Sequence, residues 1–329
     1  MVLRIHTVVA ATTLALLLLV LLAAGVIWRR PRQRVVAVVP ETTAQEIWES
    51  EHAGSARAAD EFGWKIYWNG PSREDDFPRQ IQIVNLAIGN SVDGLILSPD
   101  HDVALISSVR AALAHRIPTV IVGSPLGVSP EKNLTFVVND DAAAGRMAAQ
   151  RASLLLKTGD TVAILGVNPN ILASIARADA FESALRNRMD GMVIEERRST
   201  SFSFAEAEET AEETIHASPR LRVIFTLNVN ETRAVYGALV ATGFQGKIAL
   251  IACDQDLDLM HHVRSGSIDS LIAQDTYAMG YEAVQLIHKQ LMGEETNREI
   301  VVQPVLITRQ NIDSDKVQKV LNMNWRVRP

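Results

Sequence analysis

The sequence predicts a doubly wound α/β protein built as two lobes, and three observations carry that prediction. Short β-branched runs alternate with longer helical stretches along nearly the whole chain. Several of the strand runs are apolar at consecutive positions, as a parallel sheet covered by helices on both faces requires. The chain beyond its first 34 residues also exceeds the usual size of one domain.

Strands are expected at residues 35–39, 65–68, 94–97, 119–122, 135–138, 161–165, 192–195, 223–226, 248–252 and 270–273. Helical patterns lie between them, among them 44–62, 103–116, 142–157, 171–187, 205–217 and 277–292. Ten such units are many for one open sheet, so two sheets side by side fit better. The polar residues at 139–142, after a strand and before a helix, mark a first crossing between lobes. The acid-rich stretch 206–213 reads as the solvated face of a helix.

The first residues stand apart from this pattern. Arg4 is followed by an uncharged run over residues 8–28, then by Arg29, Arg30, Pro31, Arg32 and Arg34. The run is long enough to cross a bilayer as a helix and is read as an uncleaved anchor. A secretory signal is the alternative, because Ala23 and Gly25 offer small residues at the spacing a signal peptidase reads. The basic residues after the run would by themselves keep the large domain in the cytoplasm. Only the family resemblance described below argues for export. The single cysteine, Cys253, is far from the hydrophobic run, so a lipoprotein anchor is excluded. Without residues 1–34 the chain carries 27 basic and 38 acidic side chains, a net charge near −11 that repels phosphate backbones.

In open α/β sheets a ligand lies beyond the carboxyl ends of the strands, so the loops that follow them are the places to search. Those loops hold Thr42 and Gln45, Asp100 and Asp102, Ser124, Asn139 to Asp141, Asn168 to Asn170, Asn228 and Asn230, Asp254, and Gln274 with Asp275. Asn, Asp, Gln and Ser dominate, while Lys, His and Cys are almost absent. This inventory suits hydroxyl groups, which carboxylates and amides engage in forked hydrogen bonds. Asp100, Asp102 and Asn170 are better read as turn or cap residues.

The order of the motifs resembles the type I periplasmic binding proteins, the family of ribose-binding-like proteins whose ligand domain recurs in lac-repressor-like regulators. "VVAVVPETTAQEIW" and "AADEFGW" are similar to that family's opening strand, ligand loop and first helix. "VDGLILSP", "RIPTVIVGSP" and "VVNDDAAAGRMAA" look like its next strands and its crossover. "ARADAF", "VIFTLNVNETRAVYGAL", "ALIACDQDLDLMHHVRSGSIDSLIAQDTYAMGYEAV" and "VVQPVLITRQNID" complete the pattern. The resemblance spans residues 35–313 and is most specific over 253–284.

The resemblance implies two lobes joined by a three-crossing hinge. One lobe would comprise residues 35–139 and 275–303, the other 140–274 and 304–329, with 1–34 as anchor or signal. It also implies a set of ligand contacts. Gln45 and Trp48 match the polar and aromatic contacts of the first loop and helix, and a flat indole would complement the apolar side of a sugar ring. Asn139 matches the crossover contact, Arg177 the family's arginine, Asp254 its ligand-gripping aspartate and Gln274 a contact near the last crossing. Asn228 matches an amide of the second lobe, with Asn230 as the alternative. Ser124 follows Gly123 where many relatives carry Asp-Arg after the fourth strand. That departure weakens the case for ribose itself.

The function implied is an extracytoplasmic solute-binding protein, periplasmic and anchored by residues 8–28. It would close on a small polar ligand, a sugar or polyol, and deliver it to an ABC-type permease. The alternative is a membrane-anchored sensor presenting its closed form to a receptor or kinase. No cofactor, metal or nucleic-acid partner is expected. A DNA-binding regulator would need a helix-turn-helix ahead of the first strand, where the hydrophobic run stands instead. An enzyme is not indicated either: Cys253 and the adjacent His261 and His262 form no recognisable catalytic set, and no phosphate loop or nucleophile elbow occurs.

Overall fold

The computed structural model describes residues 32–199 and 203–321. The hydrophobic run at 8–28 lies outside them; among the described residues, no helix is long and apolar enough to cross a membrane.

Two six-stranded sheets are built in the same order. The first contains β1 (Val35–Val39), β2 (Lys65–Trp68), β3 (Gly94–Leu97), β4 (Thr119–Gly123), β5 (Leu134–Asn139) and β11 (Glu299–Val302). They run β11-β5-β4-β3-β1-β2, all parallel. The second contains β6 (Thr161–Val167), β7 (Val193–Arg198), β8 (Leu221–Thr226), β9 (Ala249–Cys253), β10 (Ser270–Ala273) and β12 (Val305–Thr308). They run β12-β10-β9-β8-β6-β7, with only β12 antiparallel to its neighbour. All ten expected strands are present within a few residues of their predicted ends. The two additional strands, β11 and β12, are four residues each; the apolar runs 300–302 and 305–307 that form them, separated by Gln303 and Pro304, are not assigned as strands from the sequence.

The helices are α1 (Glu46–Glu61), α2 (Phe77–Gly89), α3 (Ile106–Ala114), α4 (Asp141–Ser153), α5 (Leu172–Arg186), α6 (Phe204–Ala217), α7 (Val229–Ala241), α8 (Leu257–Ser265), α9 (Thr276–Leu291) and α10 (Asp315–Leu321). Each sheet is covered on both faces. Successive residues of β1 show how: Ala37 and Val39 pack toward α2 and α3, while Val36 and Val38 pack toward α1 and α9. The second sheet repeats the arrangement, with α4 and α5 on one face and α6, α7, α8 and α10 on the other. Consecutive apolar residues therefore all lose water. The edge strand β7 is the exception: it carries Glu195, Glu196, Arg197 and Arg198, charges that keep its open side from pairing with another chain.

The chain passes between the sheets three times: from β5 into α4, from β10 into α9, and from β11 into β12. The first two crossings share a device that the sequence reading did not detect. Asp140 caps α4 by accepting from Ala143 N at 2.7 Å, and Asp275 caps α9 by accepting from Ala278 N at 3.0 Å. A glycine follows each cap at the same spacing, Gly145 and Gly280. A Cβ at Gly145 would lie 2.2 Å from Arg177 O on α5, and one at Gly280 would lie 2.1 Å from Glu51 O on α1. Gly54 returns the contact, since its Cβ would lie 2.0 Å from Tyr277 O. Each crossing helix thus touches its neighbour backbone to backbone.

Gly280→Ala is expected to lower unfolding free energy by roughly 1–3 kcal/mol, because the added methyl meets main chain that cannot rotate away. Gly89→Ala, on α2 with open space around it, should be neutral or slightly stabilising. Urea unfolding of the two variants checks the contrast, and equal losses would refute the close-crossing account.

Glu51 gives a pH-dependent prediction. It is fully buried on α1; its Oε2 accepts from Ser98 Oγ at 2.8 Å and its Oε1 has no partner. Burial pushes its carboxyl up to about 8, against the opposing pull of Ser98. The native state therefore holds a proton that the unfolded chain, titrating near 4.5, has lost, and stability falls as pH rises between those values. Glu51→Gln should gain roughly 1–3 kcal/mol over the wild type at pH 8 and little at pH 5, measured by urea unfolding at both.

Candidate functional site: the cleft between the lobes

The strand order places β1 and β6 at the reversal point of their sheets, and the carboxyl ends of both sheets open onto one cleft. Its unfilled space, including the open mouth, is about 670 Å³. Gln45, Trp48, Ser124, Asn139, Arg177, Asn228, Asp254 and Gln274, the eight residues expected from the sequence, all line it.

Arg177 organises the second-lobe wall. It is 5% exposed, on a helical turn of α5, and its guanidinium donates through Nε to Asp141 Oδ1 at 2.7 Å. Its Nη1 donates to Leu227 O at 2.8 Å and to Asp254 Oδ2 at 2.9 Å. One cation therefore joins the start of α4, the end of β8 and the end of β9. Asp254 Oδ1 accepts in turn from Gln274 Nε2 at the second crossing. Burial raises the Asp141 carboxyl, against the pull of Arg177. Asp254 has φ +69°, a left-handed conformation that costs energy outside glycine and recurs at functional sites. The turn aims its carboxylate along the cleft wall.

The first-lobe wall carries unsatisfied groups. Trp48 Nε1 and Asn139 Oδ1 have no hydrogen-bond partner, although both residues are 8% exposed. Leaving a buried donor and a buried acceptor unpaired costs about 1–3 kcal/mol each. Gly123 has φ +77°, and a Cβ there would come 3.7 Å from Trp48 Cη2, so the end of β4 and the indole meet with little room between them. Asn228 does two things: it lines the cleft, and its Oδ1 caps α7 by accepting from Glu231 N at 2.8 Å. The cap reading, offered for several loop residues, thus applies here as well.

Several lining residues were missed. Glu41 lies in the loop after β1, beside Thr42, and Glu74 lies after β2, in a loop the strand-end search passed over. Burial pushes the Glu74 carboxyl up to about 7, opposed by its hydrogen bonds from Gln45 and Asn230. Burial also raises Glu41, and the nearby Asp100 and Glu74 carboxylates add to it. Ser174 was also missed; its Oγ accepts from the main-chain N of Asn168, a residue the strand-end loops did include, at 2.8 Å. Other loop residues serve structure: Thr42 Oγ1 accepts from Ala44 N, and Asp275 caps α9. Asp100 is 4% exposed, with its carboxyl pushed up to about 7 by burial.

Three contacts hold the lobes together across the cleft. Asn230 Nδ2 donates to Glu74 Oε2, Asp102 N donates to Asn170 O at 3.1 Å, and Leu257 N donates to Glu46 Oε2 at 3.2 Å. Glu46 thereby places a carboxylate at the amino end of α8, where the helix dipole favours it. Cys253 is buried and its thiol is pushed up to about 12, chiefly by burial. His262 stacks on Tyr236 on the outer face of the second lobe.

The chain is 24% identical to the D-ribose/D-allose-binding protein of Pseudomonas aeruginosa over 297 residues, 88% of this chain and 92% of that protein. It is 24% identical to the ribose import binding protein of Bacillus subtilis over 228 residues, 69% of this chain and 72% of that protein. Among solved structures, an ABC transporter solute-binding protein from Agrobacterium vitis with bound D-fucose superposes with a TM-score of 0.81 at 26% identity. That alignment covers 87% of this chain and 99% of the other. The sensory alternative gains no support from these relatives. The profile of the family described as "Periplasmic binding protein domain" matches residues 36–295, and the chain belongs to that family.

Proposed function

We propose that this protein is an extracytoplasmic solute-binding protein that closes on a small polyhydroxylated ligand and presents it to an ABC-type permease. The observation that carries the reading is the pair of buried, unpartnered groups on one wall of the cleft, Trp48 Nε1 and Asn139 Oδ1, facing the Arg177–Asp254–Gln274 array on the other. A hydroxyl donates and accepts at once, so one sugar or polyol satisfies orphans of both kinds. The indole supplies an apolar face for the ring carbons, and Gln45, Ser124 and Asn228 complete the contacts. The related proteins named for ribose and allose, and the fucose-bound structure, support the ligand class.

Binding energy becomes a conformational signal because the ligand touches both lobes. The lobes, 35–139 with 275–303 and 140–274 with 304–329, move about the three crossings, and only the closed form offers both walls. The bonds from Asn230 and Leu257 add to the closed form without touching the ligand. The uncharged run at 8–28 between Arg4 and Arg29 supports an inner-membrane anchor that keeps the domain close to its permease.

A thermal-shift screen of pentoses, hexoses and polyols, on the full chain in a non-glycosidic detergent, tests the ligand class. At least one is expected to raise Tm by several degrees. Asp254→Asn tolerates the left-handed turn and should abolish that shift. It also removes a charged partner of the buried Arg177, so the apo Tm is expected to fall, and the shift is measured against the variant's own apo Tm; a ligand shift that survives would remove Asp254 from the contacts. Protease added to intact spheroplasts is expected to digest the domain and leave a membrane-bound amino-terminal fragment; a protected domain would overturn the exported reading.

A further inference from the structure

The charges of the cleft do not balance, and the imbalance points to one kind of ligand. Its lining holds the carboxylates of Glu41, Glu74, Asp141 and Asp254 against the single guanidinium of Arg177. Through Nε and Nη1, Arg177 donates to Asp141, Leu227 O and Asp254 on the second-lobe side. From the first lobe the lining includes no Lys, Arg or His. Among the described residues, Glu41 and Glu74 form no ion pair, and Glu41 accepts no hydrogen bond.

The bonding of Glu74 says which protonation state the closed cleft is built around. Its Oε1 accepts from Gln45 Nε2 and its Oε2 accepts from Asn230 Nδ2. Both oxygens accept, and these bonds favour the ionised carboxylate against the opposing push of burial. An ionised carboxylate in a closed cleft needs a positive partner, because burial otherwise drives it to take up a proton. The protein offers none on that wall.

A second, independent observation is the unpartnered Asn139 Oδ1, on a residue 8% exposed in the same cleft. It is one more acceptor without a donor. Trp48, also lining the cleft, presents an indole face that attracts cations.

We propose that the ligand is a polyol or sugar bearing a protonated amine, with the ammonium held between Glu41 and Glu74. An ammonium brings three donors and one positive charge, which the two carboxylates and Asn139 Oδ1 lack, while the hydroxyls of the same ligand supply the acceptor that Trp48 Nε1 needs. A neutral sugar brings hydroxyl donors and acceptors but no positive charge. The domain's net charge near −11 works in the same direction, raising the local concentration of a cationic ligand at the cleft mouth. The inference rests on the polyhydroxylated-ligand reading above, and it deepens that reading to a charge class.

The test uses matched probes that differ only in the amine: D-glucosamine with D-glucose, D-galactosamine with D-galactose, and an inosamine with the corresponding inositol. Affinities are measured by titration calorimetry on the full chain, with N-acetyl-D-glucosamine as the control that keeps the nitrogen and removes the charge. In at least one pair the amine is expected to bind at least about tenfold more tightly than its neutral partner. The ratio should fall toward unity in Glu41→Gln. Glu74→Gln serves as a second variant should the first not fold, and it should reduce the ratio in the same direction.

Equal or tighter binding of the neutral members would overturn the ammonium site and leave the sugar-or-polyol reading standing. So would an amine preference that survives both substitutions. If no member of any pair bound, both the inference and the reading beneath it would be overturned.

Discussion

The buried guanidinium of Arg177 is the interaction on which the second-lobe wall depends. Taking a charge out of water costs several kcal/mol, and here the cost is offset only because three chain segments converge on it. Asp141 comes from the first turn of α4, Leu227 O from the end of β8 and Asp254 from the end of β9. Displacing any of these leaves a buried charge without its partner. The same bonds that settle the network also hold the Asp254 carboxylate beside Gln274 at the second crossing. Site geometry and local folding are therefore one constraint.

The close helix contacts supply the rigidity behind that constraint. Gly145 brings α4 against the main chain of α5 at the very residue, Arg177, whose side chain spans the site. Gly280 and Gly54 do the equivalent in the first lobe, bringing α9 against α1, the helix that carries Trp48. Backbone contact of this kind has little freedom to slide, since a main-chain atom cannot change rotamer to relieve a clash. Each lobe can then move as a block about the three crossings, while residues within a wall keep their spacing. Closure changes the distance between walls rather than the shape of either.

Against this rigid frame the cleft is left incomplete on purpose of function. A donor on Trp48 and an acceptor on Asn139 stay unpaired, two first-lobe carboxylates face the opening without a cation, and a left-handed aspartate sits at the end of β9. Each feature costs stability in the empty protein and is recovered only by a ligand that spans the walls. Unpaired buried groups also occur outside the cleft, as at Glu51 Oε1, but in the cleft a donor and an acceptor stand unpaired on one wall where a ligand can reach both.

The amino-acid sequence by itself determined the doubly wound class, the ten long-signal strands and the strand-end loops, because burial on both sheet faces writes consecutive apolar residues into the chain. The open-sheet rule led to the loops that hold Gln45, Ser124, Asn139, Asn228, Asp254 and Gln274, while Trp48 and Arg177, which lie on helices, were reached only through the family resemblance; all eight line one cleft. Tertiary structure alone decided the rest. Glu41 and Glu74 look like ordinary loop acids until folding brings them into the cleft lining, Glu74 against Asn230, and the Gly145 and Gly280 contacts depend on other helices. Strands β11 and β12 have apolar runs of their own, but which sheet each joins is decided by its pairing partner. Burial and charge pairing between distant segments are properties of the assembled fold, and no local window of residues contains them.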